Sequence, residues 1–246
     1  MELIILTFFV SLGASILSGI SGGGGFILTP YYIFIGLSPQ QAVATGKVAG
    51  LGVAGGAFTA FKGKGLVHKR LLLPLIAITI GSSFLAAWLI PKVDAAIFQL
   101  IIGVLLIALI PTLFINKASL QPGARTGRWV FAGYAVYVVV SFVQAMFGAG
   151  LAVLLTLNLM LLFGLGALEA NATKRVAQSV QSVLMFVLLL LQGLVVVGHG
   201  IATFAGSFLG SHIGSKLAIK RGDKFVKIAL VVTMAISGIA LIMTAN

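Results

Sequence analysis

Cysteine is absent from the 246 residues, and Asp and Glu together number only 4. The first absence excludes disulfides and thiolate chemistry. The second leaves 16 Lys and Arg in large excess, a formal charge of +12, yet charged residues of both signs make up only 8% of the chain. A soluble domain carries roughly 25%, because its exterior must face water. Long polar stretches are missing too, which excludes a separate soluble catalytic, receptor or nucleotide-binding module. What is abundant is apolar: 60% hydrophobic residues and 31 glycines, with a mean hydropathy of +1.18. Apolar runs of about 20 residues point to spanning helices rather than the ~10-residue alternation of an outer-membrane barrel. The fold class is therefore an all-α integral membrane protein. Its basic residues lie in short loops, where they set orientation rather than bind nucleic acid. The stretch Met1 to Ile20 is apolar, but its only nearby charge is Glu2, so it lacks the positive region of a cleaved signal.

Between charges and Gly/Pro breaks the apolar segments are 3–20, 24–36, 43–61, 71–90, 94–115, 128–147, 151–165, 174–197, 199–215 and 225–244. The second and seventh are short and follow glycine breaks, Gly22–Gly25 and Gly148-Ala149-Gly150. A shift of 128 positions aligns Gly22 with Gly150, Gly36-Leu37 with Gly164-Leu165, Ala44-Thr45 with Ala172-Thr173 and Gly65-Leu66 with Gly193-Leu194. It also pairs Lys47 with Arg175. The chain thus reads as a first membrane repeat over 1–116, a cytoplasmic linker over 117–127 and a second repeat over 128–246. Each repeat has a glycine-broken pair and three spanning helices. With a break at each glycine run, every basic residue except Lys47 and Lys92 falls on one face, 14 of 16, which the positive-inside bias makes cytoplasmic. Both termini are then external, and the odd number of segments per repeat turns the second half upside down. Backbone that leaves helical geometry inside a membrane is tolerated only where protein or a water-filled cavity satisfies it. Interrupted segments at matching places in two inverted halves point to a transporter's substrate site.

The run Gly19-Ile20-Ser21-Gly22-Gly23-Gly24-Gly25-Phe26-Ile27-Leu28-Thr29-Pro30, followed by Gly36-Leu37-Ser38-Pro39-Gln40-Gln41-Ala42-Val43-Ala44-Thr45, resembles the opening motif of the TauE/SafE sulfite exporter family. A weaker copy at 147–173 matches that family's second half, so the resemblance covers nearly the whole chain. It implies a prokaryotic inner-membrane transporter of small anions, chiefly sulfite, organosulfonates and related sulfur oxyanions. The chain departs from the commoner pattern in carrying Gly46-Lys47 after Thr45, which puts a subfamily-specific substrate in play.

Several residues are candidates for anion contact. Bare glycine backbone at Gly22, Gly23, Gly24 and Gly25, and at Gly148 and Gly150, exposes N–H groups beside a helix start, a nest suited to an oxyanion. Its bland alternative is close helix packing. Lys47 falls outside against the orientation bias and near the start of the 43–61 segment, where a cation opposes the helix dipole. A bound anion resolves both conflicts, whereas the plain reading is a lysine reaching the headgroups. Lys174 and Arg175 sit at the equivalent place in the second half, where orientation alone also explains them. Lys174, Gln178 and Gln181 share a helical face, flanked by Arg175, Ser179 and Ser182. Asn171, Thr45 and Thr173 are further donors, the threonines doubling as possible N-caps. Gly206, Gly210 and Gly214 make a small-residue stripe for close helix packing. The four acids, Glu2, Asp94, Glu169 and Asp223, lie at segment ends, whereas cation and proton carriers place carboxylates mid-membrane.

The expectation is a secondary transporter exporting a small sulfur anion by alternating access, with no cofactor or metal, lipid as its surroundings and a homo-oligomer possible. A potential of 100 mV, negative inside, favours anion exit by about 2.3 kcal/mol per charge. The alternatives are an uptake carrier or channel for another small anion, or a scaffold subunit without transport. An intramembrane enzyme would need a nucleophile–base pair or a metal cluster, which three scattered histidines and terminal acids do not supply.

Overall fold

A computed structural model describes residues 2–22, 25–93, 127–147 and 152–244. The segment expected at 94–115, most of the linker, and Gly23, Gly24, Gly148 and Gly150 lie outside them. The described residues are helical, with no strand among them. The first half contains α1 (Glu2–Ser21), α2 (Gly25–Phe34), α3 (Pro39–Phe61) and α4 (Lys69–Leu89), the last continued by a 3-10 turn at Ile90–Lys92. The second contains α5 (Arg128–Phe147), α6 (Ala152–Leu161), α7 (Ala167–Leu191) and α8 (Val197–Thr244), which is interrupted at Gly222 with φ 71° and ψ −170°. Among the described residues, four stretches are long and apolar enough to cross a membrane: Glu2–Ser21, Lys69–Lys92, Arg128–Phe147 and Ala167–Leu191. At 10 residues each, α2 and α6 are about 15 Å long and cannot span alone.

Two helix starts differ from expectation, and both for capping reasons. The third segment begins at Pro39 rather than residue 43. Ser38 Oγ accepts from the Gln41 N–H at 3.3 Å, Gln41 Oε1 accepts from the Ser38 N–H at 3.2 Å, and Pro39 holds the first helical position. This reciprocal cap satisfies two otherwise unpaired donors and contributes on the order of 1 kcal/mol. The helix expected from residue 174 begins at Ala167. Asp223, just past the Gly222 break, accepts from the N–H groups of Ala167 at 3.1 Å and Leu168 at 2.9 Å. A carboxylate at the positive end of α7 is favourable electrostatically. Neither Thr45 nor Thr173 is an N-cap, since both lie inside helices.

Helix packing is reciprocal between halves. The first limb of α8 (197–221) lies between α1 and α3, and α4 packs on both α5 and α7. In addition α2 packs on α3, α6 on α7, and α3 on α7. A methyl on Gly206, Gly210 or Gly214 would run into the α1 carbonyls of Phe8, Leu12 and Ile16, and one on Gly52 or Gly56 into those of Phe204 and Phe208. The small-residue stripe therefore sets the closeness of α1 and α8, as helix association in lipid favours. The same turns recur 128 positions apart, at Gly36 (φ 94°) with Gly164 (φ 74°), and at Gly65 (φ 65°) with Gly193 (φ 71°). Glycine is needed there because an L side chain is strained at such φ.

One reciprocal contact ties the halves together. Thr45 Oγ1 accepts from the Val196 N–H at 3.2 Å, and Thr173 Oγ1 accepts from the His68 N–H at 2.9 Å. These are the same contact exchanged, because Thr45 and Thr173, and likewise His68 and Val196, are 128 apart. Each threonine satisfies a backbone donor at the start of the other half's fourth helix, one of the orphan N–H groups of a helix end.

Candidate functional site

The ends of α1 and α5, where the chain breaks before the short helices, meet α7 and α3. Asn171 Nδ2 donates to the carbonyls of Gly19 at 3.3 Å and Ile20 at 2.9 Å. Lys47 Nζ donates to the Gln144 carbonyl at 2.9 Å. Both pair carbonyls in a final helical turn, which lack intrahelical partners and carry the negative end of the dipole. This corrects the dipole conflict expected at Lys47. With α3 starting at Pro39, the lysine sits more than two turns inside the helix, and its ammonium meets a helix C-terminus.

Lys174 is fully buried and donates to the Ala152 carbonyl at 3.0 Å and to Thr156 Oγ1 at 2.6 Å. Gly22 makes room for it: a Cβ there would collide with Lys174 Nζ, and the backbone φ is 93°. The Gly22 N–H already donates to the Ser18 carbonyl at 2.8 Å, so this glycine supplies space rather than a free donor. Gln181 Nε2 donates to the Ser141 carbonyl at 3.3 Å.

Between these contacts lies a central cavity of about 40 Å³, room for about three waters. Its walls come from both halves: Ser15, Ser18, Gly22 and Gly25 with α3 on one side, and Gln144, Ala152, Arg175, Gln178, Ser179 and Ser182 on the other. Gly50 faces Ser182 so closely that a Cβ would strike the hydroxyl. Gly25 opens α2, so the orphan N–H groups and positive dipole end of that helix start beside the cavity.

Arg175 is the exceptional group. It is 6% exposed, and its Nε and Nη2 have no hydrogen-bond partner. Lys47 and Lys174 are paired with neutral oxygens, those of Gln144, Ala152 and Thr156. An unpaired buried guanidinium is expensive, and its planar fork matches an oxyanion. Of the sequence-predicted residues, Gly22, Gly25, Arg175 and Gln178 line the cavity. Thr45, Lys47, Asn171, Thr173, Lys174 and Gln181 are engaged in the contacts above, and Gly23, Gly24, Gly148 and Gly150 are outside the described residues. Sequence reasoning missed Ser15, Ser18 and Gln144 as lining and Thr156 as the Lys174 partner. Ser15 and Ser18 share a face of α1 at helical spacing, a signal available in principle. His199 and His212 hydrogen-bond through Nδ1 to Thr7 and Thr59 at 2.9 and 2.7 Å, away from the cavity.

A cavity between apolar helices, with a few polar side chains and one cation on otherwise apolar walls and the start of a short helix beside it, is the architecture of a multi-pass membrane transporter. Comparison with known proteins agrees. A "Probable membrane transporter protein" of Haemophilus influenzae is 29% identical over 94% of this chain and 91% of its own length. "Probable membrane transporter protein ORF9" of a Sinorhizobium species is 28% identical over 94% and 89%. "Probable membrane transporter protein YfcA" of Escherichia coli K12 is 27% identical over 93% and 86%. The family model described as "Sulfite exporter TauE/SafE" matches residues 7–241, and the chain belongs to the TauE/SafE sulfite exporter family. No solved structure matches it.

Proposed function

We propose that this transporter exports a small sulfur oxyanion, with sulfite as the reference substrate, by alternating access. The anion binds in the central cavity, paired with Arg175 and hydrogen-bonded by Gln178, Ser179, Ser182 and the start of α2 at Gly25. The carrying observation is the buried Arg175 guanidinium with two unpartnered nitrogens on the cavity wall. The cavity volume favours a group of a few heavy atoms over a chain-bearing sulfonate.

The two halves are an inverted repeat in this reading, supported by the reciprocal packing, the matched glycine turns and the exchanged threonine contacts. The protein lies in a prokaryotic inner membrane with the basic loops cytoplasmic and both termini external. Rocking one half against the other exposes the anion to each side in turn. The membrane potential drives exit of the negative charge. The test is efflux of sulfite from proteoliposomes under a potassium-diffusion potential. Saturable efflux that grows with interior-negative potential and stops in Arg175→Gln supports the reading. Efflux indistinguishable from that of empty vesicles contradicts it.

A further inference from the structure

A second cavity, of about 560 Å³, is lined by Phe58, Phe61, Lys62, the 63–67 loop, Lys69 and the α7 residues Ala172, Arg175, Val176 and Ser179. Ala54, Arg175 and Ser179 line both this cavity and the central one. Its mouth is the loop between α3 and α4, where Lys62 and Lys64, with Lys69 and Arg70 at the start of α4, are exposed. We infer that this vestibule is a second, weaker anion site on the cytoplasmic loading path, with Lys62 and Lys69 gathering oxyanions and Arg175 passing them inward. The inference rests on the anion-carrier reading and adds to it a loading site with its own residues.

Three observations converge on it. Lys62 and Lys69 stand at opposite ends of one short loop and on the walls of one cavity, so their fields add inside it. Apolar walls from Phe58, Phe61, Leu66 and Val67 reduce the screening those charges would meet in open water. The unpartnered guanidinium belongs to both cavities, so an anion that pairs with it from the vestibule already borders the inner site. Exposed lysines hold an anion weakly because water and salt compete, which suits a recruiting site that must release its cargo. The inner site is far smaller, about 40 Å³, so an anion there meets Arg175, Gln178 and the serines at close range and is held more firmly. Arg175 can pair one oxyanion with its free edge at a time, so the two sites fill in turn rather than together.

The test has two arms. In the first, sulfite uptake is measured with the basic face presented to the assay solution, across a range of ionic strengths. Wild type should lose kcat/KM severalfold as salt rises. The K62Q/K69Q variant should start severalfold lower at low salt, through KM rather than kcat, and show little further salt dependence. Unaltered KM with full salt dependence would overturn the inference. The second arm needs no transport. Pyridoxal phosphate, a phosphate-bearing aldehyde, is added at limiting concentration and the imine reduced before peptide mapping. Lys62 or Lys69 should label severalfold faster than the exposed Lys216 and Lys220, and Arg175→Gln should remove the preference. Labelling that is even across these lysines, or unchanged by Arg175→Gln, overturns the vestibule site. Sulfite movement absent from wild type, with preferential labelling intact, would instead remove the sulfite reading and leave the vestibule standing.

Discussion

Lys47 and Arg175 stand 128 residues apart, on the third helix of each half, buried to the same 6% exposure. Their surroundings differ. Lys47 reaches the last turn of α5 and donates to the Gln144 carbonyl. Arg175 has Nε and Nη2 without a partner and borders both cavities. The task that Lys47 performs for α5 is performed for α1 by Asn171, four residues before Arg175. A neutral amide on that helix releases the neighbouring cation from structural duty. One cation of the pair is tied to a helix end, and the other keeps two nitrogens without a partner, which the proposed function assigns to an anion.

The largest expected difference is in transport. Arg175→Gln should reduce sulfite flux at least about 100-fold, as removal of a buried charged partner costs a few kcal/mol of binding, while the protein still reaches the membrane. Lys47→Gln should keep flux within about tenfold, its loss falling on stability through a charged hydrogen bond of about 1.5–3 kcal/mol. Equal losses of flux would abolish the distinction. Next in size is Gly22→Ala, where both the positive φ and Lys174 Nζ oppose a side chain. Destabilisation of about 1–3 kcal/mol is expected, seen as a lowered melting temperature in detergent. Arg175→Lys should weaken sulfite binding about tenfold, because an ammonium lacks the two-pronged guanidinium geometry. Smallest are Thr45→Val and Thr173→Val, each expected to cost about 1 kcal/mol by stranding one backbone donor. Similar losses in the two variants are expected of exchanged contacts. A loss confined to one would show that the halves do not share the work.

Much of the helix plan was legible because the lipid-facing runs are apolar and the glycines interrupt them. Gly22, Gly36, Gly164 and Gly193 all mark real turns or breaks. Boundaries went astray where polar residues begin a helix. The segment read as 174–197 omits about the first two turns of α7, since Glu169 and Asn171 interrupt the apolar run although they are helical. The start of α3 was visible in Ser38-Pro39-Gln40-Gln41, a Ser with Gln three positions on, and was hidden by reading Gly36–Pro39 only as a turn. The candidate site was legible as a set of polar side chains on the third helices. Which of them is engaged was not, because four find partners in the other half, Gln144 for Lys47, Gly19 and Ile20 for Asn171, Val196 for Thr45 and His68 for Thr173, and Lys174 and Gln181 find theirs on other helices of their own half. Spacing along one helix carries no information about such contacts.

The central claim is that Arg175 is an unpaired cation awaiting an anion while Lys47 is a paired, structural one. Thermal unfolding of purified wild type, Arg175→Met and Lys47→Met, each with and without sulfite, tests it most directly. Removing an uncompensated buried charge should raise the melting temperature of the anion-free protein and abolish stabilisation by sulfite. Removing Lys47 should lower the melting temperature and leave the sulfite-induced rise in place. If Arg175→Met melts below wild type and is still stabilised by sulfite, the claim is contradicted.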